Sequence, residues 1–179
     1  MADTVTKIWG VGGRTATVSV LRTLAAAGNY DAEDVMSDDA DNGEGTAITF
    51  TGVGRTKGTA GKIVQASILC STTALTPRLT LYLFSSTPTC ELDDQAANTA
   101  VLAADQAKFV GQIDFPAMSD LGTGMSGTIS TMSTWGNLPI YFVCEEDSAN
   151  LYGVLVTRDA ITGEAANMTV RINLTAVEV

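Results

Sequence analysis

The side chain that most often performs acid–base chemistry at neutral pH is missing from this sequence, because none of its 179 residues is histidine. That absence removes the commonest general base, the usual serine–histidine–acid arrangements and most zinc sites. Two routes to catalysis remain, namely a pair of carboxylates, as glycosidases use, and a serine activated by a lysine.

One pair of carboxylates falls where two strand patterns end. Asp114 lies near the end of the pattern at 109–115, and Glu145 opens an acidic run with Glu146 and Asp147. A cleft between them would suit hydrolysis of a polysaccharide, but turns between strands commonly collect acidic residues. We therefore expect a solvated turn, predict no catalytic residue, and do not expect an enzyme.

Seven acidic residues crowd the segment 31–44, in which only Val35 and Met36 are strongly apolar. This composition is typical of an exposed loop. Clustered carboxylates can bind calcium, but the ligand alternation of a helix–loop–helix site fails at Ala40 and Thr49. The prediction is a plain acidic loop without metal or cofactor, and a looser calcium site is the alternative.

The charge distribution argues against nucleic acid as a partner. The net charge is −10, and the few basic residues are scattered between Lys7 and Arg171. The glycine-rich loop at 52–61 lacks the GK[ST] sequence of a phosphate-binding loop and precedes a strand. No stretch approaches the roughly 18 apolar residues that span a bilayer, so no membrane partner is expected. The amino terminus lacks a secretion signal, which predicts synthesis and folding in a cytoplasm.

The three cysteines, Cys70, Cys90 and Cys144, form an odd set without the CxxC spacing of a metal site. Cys70 and Cys144 fall inside apolar runs. These features predict buried, reduced thiols.

Short segments that alternate polar and apolar residues dominate the chain. They predict strands at 15–24, 47–51, 62–70, 79–84, 109–115, 128–132, 139–145, 151–158 and 168–177. A short helix is predicted within 98–107, capped by Asn98 or Thr99. Residues 145–150 are predicted to join two strands as a hairpin. In the segment 79–84, the alternation predicts a half-buried strand whose leucines all lie on the core-facing side.

This series of short strands predicts an all-β fold, an antiparallel β-sandwich of the jelly-roll kind, formed as one domain by residues 15–179. Residues 1–14 are polar and interrupted by glycines, which predicts a flexible N-terminal arm ordered by a neighbouring subunit. The candidate partner-binding residues are Ile8, Trp9, Val11 and Trp135. Core packing is an equal alternative for Trp135.

Five segments, in order along residues 29–174, resemble a family of tailed-bacteriophage virion structural proteins. They are NYDAEDVMSDD, GRTKGTAGKIVQASILC, LTPRLTLYLFSSTPT, FVGQIDFPAM and NLYGVLVTRDA. Such proteins are similar to capsid decoration, or cement, subunits that sit as trimers on the capsid. The resemblance implies a homotrimer on the outer surface of the virion, the major capsid protein as partner, and no cofactor.

Three functions compete at this point. The resemblance favours a decoration protein that stabilises the capsid. A tail or spike component would instead bind a host glycan through exposed aromatic side chains such as Trp135, Tyr141 or Tyr152. A hydrolase using Asp114 and Glu145 is the third.

Overall fold

The computed structural model describes residues 14–25, 29–39, 43, 45–72, 76–122, 124–133, 137–162 and 168–178. Within these ranges the chain forms ten strands and one 3-10 turn, Ala103–Asp105. The strands are β1 (Thr15–Thr23), β2 (Ile48–Phe50), β3 (Ala60–Cys70), β4 (Leu79–Phe84), β5 (Phe109–Phe115), β6 (Ser119–Asp120), β7 (Ser126–Thr131), β8 (Ile140–Val143), β9 (Leu151–Thr157) and β10 (Thr169–Glu178). The predicted all-β class is confirmed.

The strands form two antiparallel sheets. The six-stranded sheet has the order β1-β10-β3-β7-β6, and β8 also pairs with β3; the four-stranded sheet has the order β2-β9-β4-β5. The first four strands along the chain alternate between the sheets. The sets β1-β10-β3-β7 and β2-β9-β4-β5 have the strand order of an eight-stranded jelly roll, in which two Greek keys share one core. The predicted sandwich architecture is confirmed.

The main core lies between the two sheets, and alternate residues of the longer strands enter it. On β1 the inward residues include Val18 and Val20, and on β10 they include Ile172 and Leu174, all at most 5% exposed. Each fully buried side chain of this kind contributes about 1.5–3 kcal/mol of hydrophobic stabilisation. The period-two pattern in the sequence therefore specifies which face of each strand turns inward.

The strand β4 is buried on both faces, so the prediction of a half-exposed strand is wrong. Its leucines face the main core as predicted. On the opposite face, Tyr82 and Phe84 pack with Val154 in a second hydrophobic cluster. The segment 85–108 covers this face and contributes Cys90 to the cluster, and Val35 joins the cluster from the segment 30–39.

The predicted exposed loop at 31–44 is also wrong in part, because its middle continues the four-stranded sheet. The backbone N–H of Glu33 donates to Thr157 O and that of Met36 to Leu155 O, each at 2.9 Å. On its other side, the N–H of Val35 donates to Ala96 O at 2.9 Å. The four residues Asp34, Val35, Met36 and Ser37 are consequently buried.

Two further predictions about local structure are wrong. The helix within 98–107 is reduced to the single 3-10 turn, which begins after Leu102 without a side-chain cap. Asn98 instead accepts a hydrogen bond from the N–H of Ala100 at 2.9 Å. The turn at 145–150 is no hairpin, because β8 pairs with β3 in one sheet while β9 belongs to the other.

Arg14 is the first described residue, and its carbonyl accepts a hydrogen bond from Glu178 N at 3.1 Å. Residues 1–13 fall outside the described residues, so the arm and the domain boundary at 14/15 stay predictions. In the described part of the chain, no helix has the length and apolar character needed to cross a bilayer.

Candidate functional site

The four candidate partner-binding residues, Ile8, Trp9, Val11 and Trp135, all fall outside the described residues. Their role therefore stays a prediction. Among the described residues, the candidate functional features are charged clusters, buried thiols and exposed apolar side chains.

The two carboxylates considered for catalysis lie at opposite ends of β4. Asp114 accepts hydrogen bonds from Thr80 Oγ1 at 2.8 Å and from Asn137 Nδ2 at 3.1 Å, whereas Glu145 accepts one from Ser85 Oγ at 2.7 Å. Positions 80 and 85 are separated by roughly 16 Å of extended chain. Glycosidases place their carboxylates about 5–10 Å apart. The structure does not bring this pair together.

A cleft of about 310 Å³ at one end of the four-stranded sheet contains two arginines. Arg158 donates from Nε to Thr80 Oγ1 at 2.8 Å and from Nη2 to the Tyr82 hydroxyl at 3.0 Å, and its Nη1 pairs with Glu33. These contacts join β4, β9 and the segment at 33–36. The guanidinium therefore links these segments through charge-assisted hydrogen bonds on the outer face of the sheet.

The second arginine of this cleft, Arg78, forms a bidentate salt bridge with Asp159. Its Nε and Nη2 lie 3.1 and 2.6 Å from the two carboxylate oxygens. The side-chain and backbone hydrogen bonds from Arg78 lower the pKa of Asp159 from its usual range. Since both arginines are paired with carboxylates, the cleft offers an anionic ligand little net positive charge.

Two buried carboxylates hold the acidic segment against the body of the protein. Asp94 accepts the Tyr30 hydroxyl at 2.9 and 3.0 Å and the N–H of Ser37 at 2.6 Å. Asp93 accepts the N–H groups of Gly43 and Gly45 at 2.6 and 2.9 Å. Among the described residues no group of three or more acidic, cysteine or histidine side chains could hold a metal ion. That part of the chain gives the calcium alternative no support.

All three cysteines are buried and none forms a disulfide, which confirms the prediction of buried, reduced thiols. Burial, with a smaller contribution from the neighbouring Asp105 carboxylate, raises the pKa of Cys90 to about 11. Burial also raises the pKa of Cys144. A thiol that stays protonated and enclosed is a poor nucleophile, so these residues act as apolar core side chains.

One edge of the six-stranded sheet carries most of the exposed large apolar side chains of the described residues. Both β7 and β8 pair with the same side of β3, and β6 lies outside β7. From Leu121 to Cys144 the sequence contains no Asp, Glu, Lys or Arg. We call the described residues of this stretch the charge-free edge. Its exposed apolar side chains are Leu121 (58% exposed), Met125 (39%), Ile129 (45%), Met132 (60%), Tyr141 (66%) and Val143 (61%).

This edge was not predicted from the sequence. The signal was present, because a stretch of this length without a charged residue is unusual in a chain that is 17% charged. Sequence alone does not say which of its apolar residues point to solvent, and this depends on the pairing with β3.

The fold defines an all-β protein of the jelly-roll class, and comparison with solved structures finds chains that it resembles. A chain in the crystal structure of tomato aspermy virus is similar over 97% of this chain and 82% of that chain, with 12% identity and a TM-score of 0.35. A likeness at this level bears on neither the function nor the partners of this chain. No family model matches the sequence, and no curated protein matches it significantly.

Proposed function

We propose that this chain is a structural component of a virus particle, and that it decorates and cements the capsid of a tailed bacteriophage. The observation that carries the proposal is a jelly-roll sandwich in which six of the nine exposed large apolar side chains of the described residues lie on one edge. Double-sheet jelly rolls occur in viral capsid domains, lectin domains and cupins. The resemblance of five segments to tailed-phage virion proteins supports the same assignment.

The proposed mechanism is mechanical and needs no reacting residue. The protein sits on the outer surface of the capsid as a trimer and contacts the major capsid protein. Its arm contributes Ile8, Trp9 and Val11 to that contact, and Trp135 adds a further anchor. Apolar and hydrogen-bonding surface buried across neighbouring capsid subunits raises the free energy needed to separate them. The charged clusters, in contrast, hold covering segments to the sandwich.

A second candidate function is glycan binding by a tail or spike component. One observation favours it: Tyr141 is 66% exposed on the charge-free edge, where its ring could stack on a sugar. The other described tyrosine considered for this role, Tyr152, is half-buried against the second hydrophobic cluster. A glycan array would test this function, and binding that is lost in Tyr141→Ala would support it.

The decisive experiment combines a copy count with reconstitution. Quantitative mass spectrometry of purified particles should give a copy number that approaches the number of lattice sites. Particles stripped of the protein should release their DNA at a lower temperature, and adding the protein back should restore the original temperature. A few dozen copies would instead place the protein in the tail, and stripped particles as stable as coated ones would eliminate cementing.

The same particles also test the enzymatic alternative. Because Asp114 and Glu145 lie far apart, Asp114→Asn and Glu145→Gln should leave assembly and infectivity within a few-fold of wild type. Cleavage of a cell-wall or capsular polysaccharide by the wild-type protein, lost in either variant, would contradict the structural assignment.

A further inference from the structure

The exposed apolar side chains of the described residues are concentrated on one of the two edges of the six-stranded sheet. Nine large apolar side chains are exposed, and six of them belong to the charge-free edge. The other three, Leu21, Leu102 and Phe109, are 37–42% exposed and lie at separate places in the fold. At the opposite edge, β1 turns mostly serine and threonine outward, and Leu21 is the exception.

The apolar surface is continuous from Leu121, which follows β6, onto β7. A Cβ atom built on Gly127 would lie 2.8 Å from Leu69 Cδ2 and 2.9 Å from Leu121 Cδ1, so both leucines lie over this glycine. Ile129 follows two residues later on the same face of β7. The N–H of Leu121 donates to Met125 O at 3.0 Å, which places Met125 across the adjoining turn.

The strand β8 extends this surface along the same side of β3. Its exposed residues Tyr141 and Val143 alternate with the buried Ile140 and Phe142. Among the described strands β8 pairs only with β3, so the hydrogen-bonding groups along its other side have no strand partner there. A short, uncharged edge strand with exposed apolar side chains invites association unless another surface covers it.

We propose that the charge-free edge is the contact between copies of this chain. Each copy carries a net charge of −10, so two copies repel unless they meet on a surface without acidic groups. Asp120 and Glu145 bound the uncharged stretch, and Lys62 of β3 lies opposite Tyr141. These three charged residues belong to the rim of such a contact. A different protein could complement the negative charge with basic residues, whereas a second copy cannot.

The composition of the edge fits a contact between subunits. Its six exposed apolar side chains supply the apolar part of such a contact, which at standard size takes about 800 Å² from each partner. The trimer of the proposed function requires a contact of this kind, but copies of the chain can form the contact without the virus particle. It can therefore be tested on the free protein, separately from cementing.

The test is sedimentation velocity of the full chain at concentrations up to about 100 μM, for the wild type and three variants. Ile129→Glu and Val143→Glu each place an unpaired charge in the proposed contact. Leu21→Glu is the matched control, since it adds the same charge to the outer face of the opposite edge. We expect the wild type and the control to self-associate, and each edge variant to raise the dissociation constant about tenfold or more.

The melting temperature of the wild type and of each variant is measured as well, to detect variants that unfold. Should a glutamate variant unfold early, Tyr141→Ser takes its place, because it removes exposed apolar area without adding a charge. A wild-type protein that stays monomeric overturns the proposal, as does association of the edge variants equal to that of the wild type. A monomeric wild type whose edge variants lose binding to stripped particles would assign the edge to the shell instead, and would likewise overturn it.

Discussion

Asp105 accepts hydrogen bonds from both the backbone N–H and the hydroxyl of Thr89, at 2.9–3.0 Å, although its side chain is completely buried. Burial opposes ionisation of this carboxyl, but the two Thr89 donors and the Lys108 ammonium, 3.5 Å away, together lower the pKa of Asp105. The contact joins two parts of the segment 85–108, which covers the outer face of the four-stranded sheet.

Changing Asp105 to asparagine should destabilise the protein. The amide keeps the shape of the carboxylate but has one accepting oxygen and no charge, so it satisfies the Thr89 donors poorly. We expect the free energy of unfolding to fall by about 2–3 kcal/mol, measured by urea denaturation. Asp147→Asn, at an exposed turn, is the control and should leave stability unchanged. Equal stability of the two variants would show that the Thr89 contact does not stabilise the fold.

Stability should fall in acid and stay level near neutrality. Burial alone would raise the pKa of Asp38, but the Arg22 guanidinium and the Thr46 hydrogen bonds lower it. The pKa of Asp105 is lowered as well. A carboxyl whose pKa is lower in the folded state adds stability above its unfolded pKa of about 3.9, and this is lost as the pH falls through the folded value.

Melting temperature measured between about pH 2 and pH 8 checks this expectation. Because the chain has no histidine, no transition is expected between about pH 5 and pH 8. The acid-induced loss should be shallower in Asp105→Asn than in the wild type. An equally steep loss in that variant would mean that other carboxyls control the acid response.

Truncating Leu81 to alanine should be costly, because this side chain is fully buried in the main core between Ile113 and Leu155 of the adjacent strands. The lost contacts and the remaining cavity predict a loss of about 2–5 kcal/mol in the free energy of unfolding. Leu21→Ala, at a side chain 42% exposed, should cost far less. Similar losses for the two variants would remove Leu81 from the stabilising core.

The three thiols should resist modification in the folded protein. Each is buried, and burial raises the pKa of Cys90 and of Cys144, so little thiolate is present near neutral pH. A colorimetric thiol reagent should therefore react with none of them until denaturant is added, and then with all three. Rapid reaction of one thiol without denaturant would reveal local opening at that position.

Deleting residues 1–13 should separate folding from binding. The deletion stops before Arg14, whose carbonyl accepts a hydrogen bond from Glu178. The melting temperature of the free protein should be unchanged, whereas binding to stripped particles should weaken, because an arm adds contacts to a complex and few to its own domain. A large drop in melting temperature would place these residues in the core of the sandwich.

Strand positions were predictable because alternation of polar and apolar residues is a local property. The patterns at 79–84 and 109–115 coincide with β4 and β5 in the structure. The pairing of β8 was not predictable in this way. A four-residue strand next to a short turn fits a hairpin as well as it fits β3, and the choice depends on a strand far away in the sequence.

The sequence by itself determined that the chain forms short strands with one inward face each, because a period-two pattern and its turns lie within a few residues of one another. It also determined that no histidine chemistry is available. Only the tertiary structure decided that Asp34 to Ser37 are buried and that the exposed apolar residues of 121–143 gather on one edge. The reason is physical: exposure depends on what distant segments cover, and acidic residues enter the interior where Tyr30, Thr89 and backbone N–H groups supply hydrogen bonds.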